Sequence, residues 1–177
     1  MPQPIQSLQH FSDWLSTTPL SVGIQSAAWV VPSVQTLHIL LIAALIASVA
    51  LLNARLLGFA ARSQPVADVA RRFLPWVWWA VPGLALTGLI LIIAEPAREL
   101  TNPIFFAKLF LLLLVLLLTG VVQYRLNRNP AGWERQAPGD AAAIPTTFSA
   151  KLVGASSLLL WVGIVVAGRW IAYFLDL

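Results

Sequence analysis

The chain has 177 residues, of which 59% are hydrophobic and 10% charged, with a mean hydropathy of +0.81 and a net charge of +4. Because a soluble domain carries about 25% charged residues, this composition excludes an ordinary soluble protein and predicts a membrane protein. The absence of cysteine excludes disulfides, iron–sulfur clusters and cysteine nucleophiles. The positive charges lie between apolar runs. This pattern indicates membrane topology and argues against nucleic acid as a partner.

The first 32 residues predict short helical segments on a membrane surface. Within residues 4–16 the apolar side chains recur near helical spacing: Ile5, Leu8, Phe11 and Leu15. Polar residues lie between them, which is typical of an amphipathic interfacial helix. Thr17-Thr18-Pro19 ends this helix, and a second short segment covers residues 22–31. The chain does not begin like a cleavable signal peptide, so we expect the first spanning helix to direct insertion.

Four apolar segments follow, each close to the roughly 20 residues that a helix needs to cross a bilayer. Their approximate bounds are 33–57, 74–94, 104–124 and 151–174. The second connection is short, which favours antiparallel neighbours. We therefore predict an all-α polytopic membrane protein: an antiparallel four-transmembrane-helix bundle with an amphipathic N-terminal helix, forming one membrane domain over residues 1–177. The long third loop contains three prolines and is predicted to be irregular.

Helices in a membrane approach closely only where small residues allow it. Such residues recur in the first span (Ala43, Ala44, Ala47, Ser48), the second (Gly83, Thr87, Gly88) and the fourth (Ala150, Gly154, Ser157, Gly163, Gly168). The third span has few, so we expect it to be the helix most exposed to lipid or to a partner subunit.

The positive residues predict the orientation. Eight lie in or beside the first and third loops: Arg55, Arg62, Arg71, Arg72, Arg125, Arg128, Arg135 and Lys151. Three lie toward the other side: Arg98, Lys108 and Arg169. Positive residues accumulate on the cytoplasmic side of membrane proteins. The sequence thus predicts a bacterial inner-membrane protein with both termini in the periplasm.

Ionisable residues in a spanning helix are functional candidates, because a charge in hydrocarbon is costly. At about 100° per residue, Gln35, His38 and Asn53 lie within about 60° of one another on the first span. We predict an outward-facing pocket for a small anion, a metal or a cofactor, formed by these residues: Gln35, His38, Glu95, Lys108 and Arg169. Two simpler readings stay open: Lys108 and Arg169 extend to the interface as anchors, and Gln35 satisfies the His38 ring.

A metal site of His10 and His38, with Asp13 or Glu95, is a second hypothesis for the same end of the protein. Haem b held between two histidines has less support, because His38 is the one histidine inside a predicted span. The chain has no Gly-rich phosphate loop, no G-x-S-x-G and no H-E-x-x-H motif, so the sequence favours a protein that is not an enzyme.

Several runs carry a family resemblance: TPLSVGIQSAAWVVPSVQTLHILLIAALIASVALLNARLLG, RRFLPWVWW, NPIFFAKLFLLLLVLLL and GRWIAYF. Together they resemble an uncharacterised family of small bacterial inner-membrane proteins, over Thr18 to Phe174. That family is loosely similar to the membrane part of copper-resistance protein D and to four-helix b-type cytochromes. The resemblance implies a four-helix fold; the cofactor stays open, with haem b and copper as the candidates. Members often carry a further histidine near the inner end of the third span, where this chain has Gln123.

The sequence therefore favours an integral inner-membrane protein that is not an enzyme, with a small-ligand or metal site around His38. Two alternatives come from other classes: a haem-binding electron-transfer protein, and an accessory subunit of a larger membrane complex. The expected partners are the lipid bilayer and either other membrane subunits or further copies of the chain. A transporter would need a solvated path, which the apolar middles of the second and third spans do not suggest.

Overall fold

The computed structural model of the chain describes residues 3–135 and 143–171, with side chains from residue 6 onward. It contains seven α-helices in these ranges, in the order α1 Gln3–Ser16, α2 Pro19–Ser26, α3 Val30–Leu57, α4 Val66–Ala94, α5 Pro96–Leu100, α6 Pro103–Arg128 and α7 Phe148–Trp170. A single 3₁₀ turn covers Pro130–Trp133, and the described residues form no strand beyond one isolated bridge between Glu134 and Thr146. The predicted all-α fold is confirmed.

Four of these helices are long and apolar enough to cross a membrane: α3, α4, α6 and α7, with peak mean hydropathies of 2.3, 2.1, 2.7 and 1.9. The predicted amphipathic helix and the four predicted spans all correspond to helices. Of the 18 most apolar consecutive residues of α6, 17% are buried, which is the lowest share among the four long helices. This agrees with the small number of small residues in α6.

The helix ends differ from the predicted bounds where a helix extends beyond its apolar part. Helix α4 begins at Val66, eight residues before the predicted span, because hydropathy does not register the polar first turns around Arg71 and Arg72. Helix α3 begins at Val30, before Pro32, since proline is tolerated in a first turn where its missing N–H has no partner to lose. The predicted end of the fourth span at residue 174 lies outside the described residues.

The chain divides into two compact units, and each long helix contributes a segment to both. We call the first the terminal unit, which comprises residues 1–43, 80–110 and 165–177. We call the second the loop unit, which comprises residues 44–79 and 111–164. The single membrane domain over residues 1–177 stays a prediction.

In the terminal unit, side chains of α2 donate hydrogen bonds to the last backbone carbonyls of α4. The last carbonyls of a helix have no partner inside it and need donors from elsewhere. Ser21 Oγ donates to Ile93 O at 2.7 Å, and Gln25 Nε2 donates to Ala94 O at 2.8 Å. Thr18 caps α2 in turn, with Ser21 N donating to its hydroxyl at 3.4 Å. The short segment is thereby fixed to a spanning helix by its polar side chains.

In the loop unit, buried apolar residues of α3, α4, α6, α7 and the 3₁₀ turn form the core: Leu52, Leu56, Val66, Val69, Ala70, Leu74, Val122, Leu126, Trp133 and Ala150. Gly154 allows α7 to approach α3, because a Cβ at this position would lie 3.0 Å from Leu56 Cβ. Beside this contact, Asn53 Nδ2 donates to Ser157 Oγ at 3.1 Å, fully buried.

Arg55, near the end of α3, is completely buried in the loop unit. Its Nε donates to Gln64 O at 2.7 Å and its Nη2 to Ile144 O at 3.2 Å. Glu134 lies 3.6 Å from the guanidinium and also accepts from Val66 N, the first residue of α4. One arginine therefore connects the first and third loops, and its carboxylate partner caps a spanning helix.

Candidate functional site

The polar site of the terminal unit is centred on His38, which lies in the third turn of α3 and is partly buried. Its Nδ1 atom lies 2.7 Å from the hydroxyl of Thr87 on α4. Thr87 is buried, with 4% of its surface exposed. The sequence offered Gln35 as the partner of the ring. Gln35 is exposed, and the imidazole instead bonds across to the neighbouring helix.

The Thr87 hydroxyl fixes which ring nitrogen carries the proton. Its oxygen also lies 2.7 Å from Gly83 O, one turn earlier in α4, where it can only donate because the carbonyl accepts. A hydroxyl has one hydrogen, so it must accept from His38, and we assign the Nδ1–H tautomer. The Nε2 lone pair of the neutral ring is then left as an acceptor, and no described residue hydrogen-bonds to it.

Two glycines of α4 make room for this arrangement. A Cβ at Gly83 would lie 2.9 Å from Leu41 Cδ1, so the missing side chain lets α3 and α4 approach. A Cβ at Gly88 would lie 3.6 Å from His38 Cε1, so the ring packs against bare helix backbone. The small residues that the sequence marked for helix packing therefore also form the wall against which the imidazole lies.

Lys108, in the second turn of α6, is partly buried in the same unit. It lies within electrostatic range of two ionisable groups, His38 and Glu99. Its Nζ is 5.9 Å from the Phe105 ring centroid, at the edge of a cation–π contact. A Cβ at Gly168 would be 3.9 Å from Lys108 Cδ, so the stem of the lysine passes close to α7.

The remaining predicted site residues lie toward the surface of the unit. Glu95 pairs with Arg98 at 2.6 Å, and both side chains are partly exposed, so this pair adds little stability. The two residues line a cleft of about 500 Å³ together with Gln25 and Ser16. Arg169 is exposed on the last turn of α7.

The described part of the chain supplies no additional ligands for the predicted metal site. His10 is exposed on α1, and so is Asp13. Within residues 3–135 and 143–171, no three His, Asp or Glu side chains are grouped closely enough to hold a metal ion. The donor set that the structure brings together is one imidazole and one ammonium group, which is a poor set for copper or zinc.

Gln123, at the position where the resembled family often has histidine, is already engaged in the loop unit. Its Oε1 accepts from Trp78 Nε1 at 2.5 Å, which connects α6 to α4.

Sequence reasoning missed two contributors to the site, Thr87 and Glu99. Thr87 carried a usable signal, because it lies four residues after Gly83 and four is the spacing at which a threonine hydroxyl reaches a helix carbonyl. Its contact with His38 depends on the relative rotation of α3 and α4, which the sequence does not give. Glu99 resembled an ordinary loop charge.

The profile of a family of unknown function, DUF6644, matches residues 11–174, which include every residue of the site described above except His10. The chain belongs to this family. No curated protein and no solved structure matches the sequence. Since the family has no known function, a function for its member has to be argued from the site itself.

Proposed function

We propose that the protein is an integral protein of a bacterial cytoplasmic membrane that binds a small ligand at His38 and Lys108, without catalysing a reaction. The observation that carries this proposal is the hydrogen bond between His38 and Thr87. Holding one nitrogen of an imidazole inside a membrane helix pair orients the other nitrogen, and polar groups at this depth are retained mainly for function.

The chemistry of the two groups indicates the class of ligand. The Nε2 atom of neutral His38 accepts a hydrogen bond, whereas the Lys108 ammonium only donates. A ligand that satisfies both therefore offers a hydroxyl hydrogen to His38 and an anionic or carbonyl oxygen to Lys108. Small hydroxy acids have this combination.

The proposed orientation places the site on the periplasmic side. It is supported by the eight positive residues in or beside the first and third loops against three toward the other side. The exposed aromatic residues of the terminal unit, Phe11, Trp14 and Trp29, suit an interface between lipid and water. Helices α1 and α2 then lie on the outer leaflet beside the site.

The test is to purify the protein in mild detergent, denature it and identify the released small molecules by mass spectrometry. His38→Asn keeps an N–H for Thr87 but removes the Nε2 acceptor, and Lys108→Met keeps the stem but removes the charge. We expect one compound, near one per protein, in the wild type and a clear loss in both variants. Gln35→Ala, an exposed position one turn away on α3, is the matched control and should retain it.

If all four proteins release the same compounds in the same amounts, His38 and Lys108 are not a ligand site. The accessory-subunit hypothesis then becomes the better one, and it predicts a co-purifying membrane protein that crosslinks to the leucine-rich face of α6.

Haem binding is a second candidate, and the Nδ1–H tautomer of His38 is the observation that favours it. A histidine whose Nδ1–H is hydrogen-bonded presents Nε2 as the metal ligand. The other histidine of the chain, His10, is exposed on α1, and a bis-His site does not fit this chain. A reduced-minus-oxidised spectrum of the purified protein decides the matter, because a Soret band abolished by His38→Asn would identify His38 as an axial ligand.

A further inference from the structure

A second polar site lies in the loop unit, where the first loop meets the start of α7. It is a cleft of about 390 Å³. The residues that matter for its chemistry are Gly58, Phe59, Arg62, Thr146 and Lys151. None of them belongs to the site around His38.

The described lining of this cleft carries two cations and no carboxylate. Arg62 Nε donates to Gly58 O at 2.5 Å, which holds the guanidinium at the rim and leaves its other N–H groups available. Lys151 is exposed in the first turn of α7. Two cations without a counter-charge among the described lining residues favour an anionic occupant.

One lining residue, Thr146, carries a buried hydroxyl without a partner among the described residues. Thr146 is 6% exposed, and its Oγ1 has no hydrogen-bond partner among the described residues. An unsatisfied buried hydroxyl is destabilising, and each such group in a native protein needs an explanation. Gly58 lies beside this hydroxyl: a Cβ built at Gly58 would be 3.9 Å from Thr146 Oγ1. The φ of Gly58 is +82°, a backbone conformation that disfavours any larger residue.

Buried Arg55 adds positive charge behind the cleft. Its Nη2 bonds Ile144 O, which belongs to the lining, while its Nη1 has no partner among the described residues. Glu134, 3.6 Å from the guanidinium, carries the opposing charge. The loop unit therefore places a second unsatisfied donor close to the wall of the cleft.

We propose that this cleft binds the phosphate group of an anionic lipid. Arg62 and Lys151 supply charge-assisted hydrogen bonds to phosphate oxygens, and the Thr146 hydroxyl supplies a further donor. The lipid is favoured over free phosphate because an apolar side chain of the lining, Phe59, is 76% exposed. Such residues suit the acyl boundary, and anionic lipids are abundant in the cytoplasmic leaflet, the side we propose for these loops.

The test measures lipid affinity of the full chain in a neutral detergent by native mass spectrometry and by the shift of its melting temperature. The probes are dioctanoyl phosphatidylglycerol, dioctanoyl phosphatidylcholine and inorganic phosphate. We expect tighter binding of phosphatidylglycerol than of phosphatidylcholine. The double variant R62Q/K151Q should weaken phosphatidylglycerol binding by about tenfold or more, the usual effect of losing charged hydrogen bonds.

The matched control is R72Q/R135Q, which removes the same charge from two exposed arginines of the loop unit outside this cleft. It should bind phosphatidylglycerol like the wild type. Thr146→Val keeps the shape of the side chain and should weaken binding by about fivefold, the value of one neutral hydrogen bond. Melting temperatures without lipid show whether each variant is folded.

The outcomes distinguish a lipid phosphate from free phosphate, and they show which side chains contact the phosphate group. If inorganic phosphate alone stabilises the wild type and R62Q/K151Q abolishes this effect, the phosphate site stands and its ligand is the free ion. If both lipids bind equally, or if the control loses as much affinity as R62Q/K151Q, the proposal is wrong. If Thr146→Val raises the melting temperature and leaves lipid affinity unchanged, the hydroxyl does not contact the phosphate.

Discussion

At the scale of single residues, the polar side chains inside helix α3 differ in burial and in role. Asn53 and Arg55 both lie in the last turns of α3 and are fully buried, and both bond within the protein. His38 is only partly buried and keeps one ring nitrogen without a bond to any described residue. The first two are structural, whereas His38 keeps the ring nitrogen to which the proposed ligand would bind.

Arg55→Met should lower the free energy of unfolding by about 3 kcal/mol or more, because it leaves the carbonyls of Gln64 and Ile144 without donors and Glu134 without its cation. Denaturant unfolding in detergent measures this loss. Arg72→Met, at an exposed position, should change the stability by about 0.5 kcal/mol at most. Equal effects of the two changes would show that Arg55 is not a structural anchor.

Thr87→Val should release the His38 ring, because the valine side chain has the same shape but no hydroxyl. Nitrogen-15 NMR of labelled histidine in the wild type should show the Nδ1–H tautomer. In Thr87→Val we expect a mixture of the two tautomers, and Thr87→Ser, which restores a hydroxyl, should return the spectrum to the wild-type form. A wild-type spectrum dominated by Nε2–H would contradict the assignment.

At the scale of elements, small residues decide which helices can touch. A Cβ at Gly154 meets Leu56 Cβ at 3.0 Å and Asn53 O at 3.5 Å, whereas a Cβ at Gly120 meets nothing within 4 Å. The same substitution at these two glycines therefore has opposite expected effects.

Gly154→Ala should destabilise the protein by about 1–3 kcal/mol, because two backbones must separate to admit the methyl group. Gly120→Ala should be neutral or stabilising by up to about 1 kcal/mol, since alanine is the better helix former. Melting temperatures of the two variants in one detergent provide the comparison. Destabilisation by Gly120→Ala comparable to that of Gly154→Ala would show that α6 packs against something at Gly120.

The sequence predicted the elements well and their side-chain partners poorly, and the reason is physical. Apolar length depends on composition alone, so all four spanning helices could be predicted. Partners depend on helix rotation and on loop geometry, which is why Thr87 was missed beside His38 and why Arg55 resembled a plain topology charge. The extra turns of α4 before residue 74 were missed because polar helical residues leave no mark on hydropathy.

At the scale of the whole molecule, the cysteine-free sequence allows a direct test of orientation. A cysteine introduced at the exposed position Gln9 should react with a membrane-impermeant maleimide in spheroplasts. A cysteine at exposed Ser63, in the first loop, should react only after the membrane is permeabilised. The reverse pattern of labelling would reverse the topology and place the site around His38 in the cytoplasm.

The buried arginine also bears on how the protein is made. Arg55 leaves the ribosome as part of the first spanning helix, but one of its acceptors, Ile144, is synthesised 89 residues later. Until then the guanidinium of Arg55 lacks one of its final hydrogen-bond partners. We expect chains that end before residue 144 to pack the first two spanning helices loosely and to be degraded readily, so that only chains synthesised past this residue form the complete Arg55 contact.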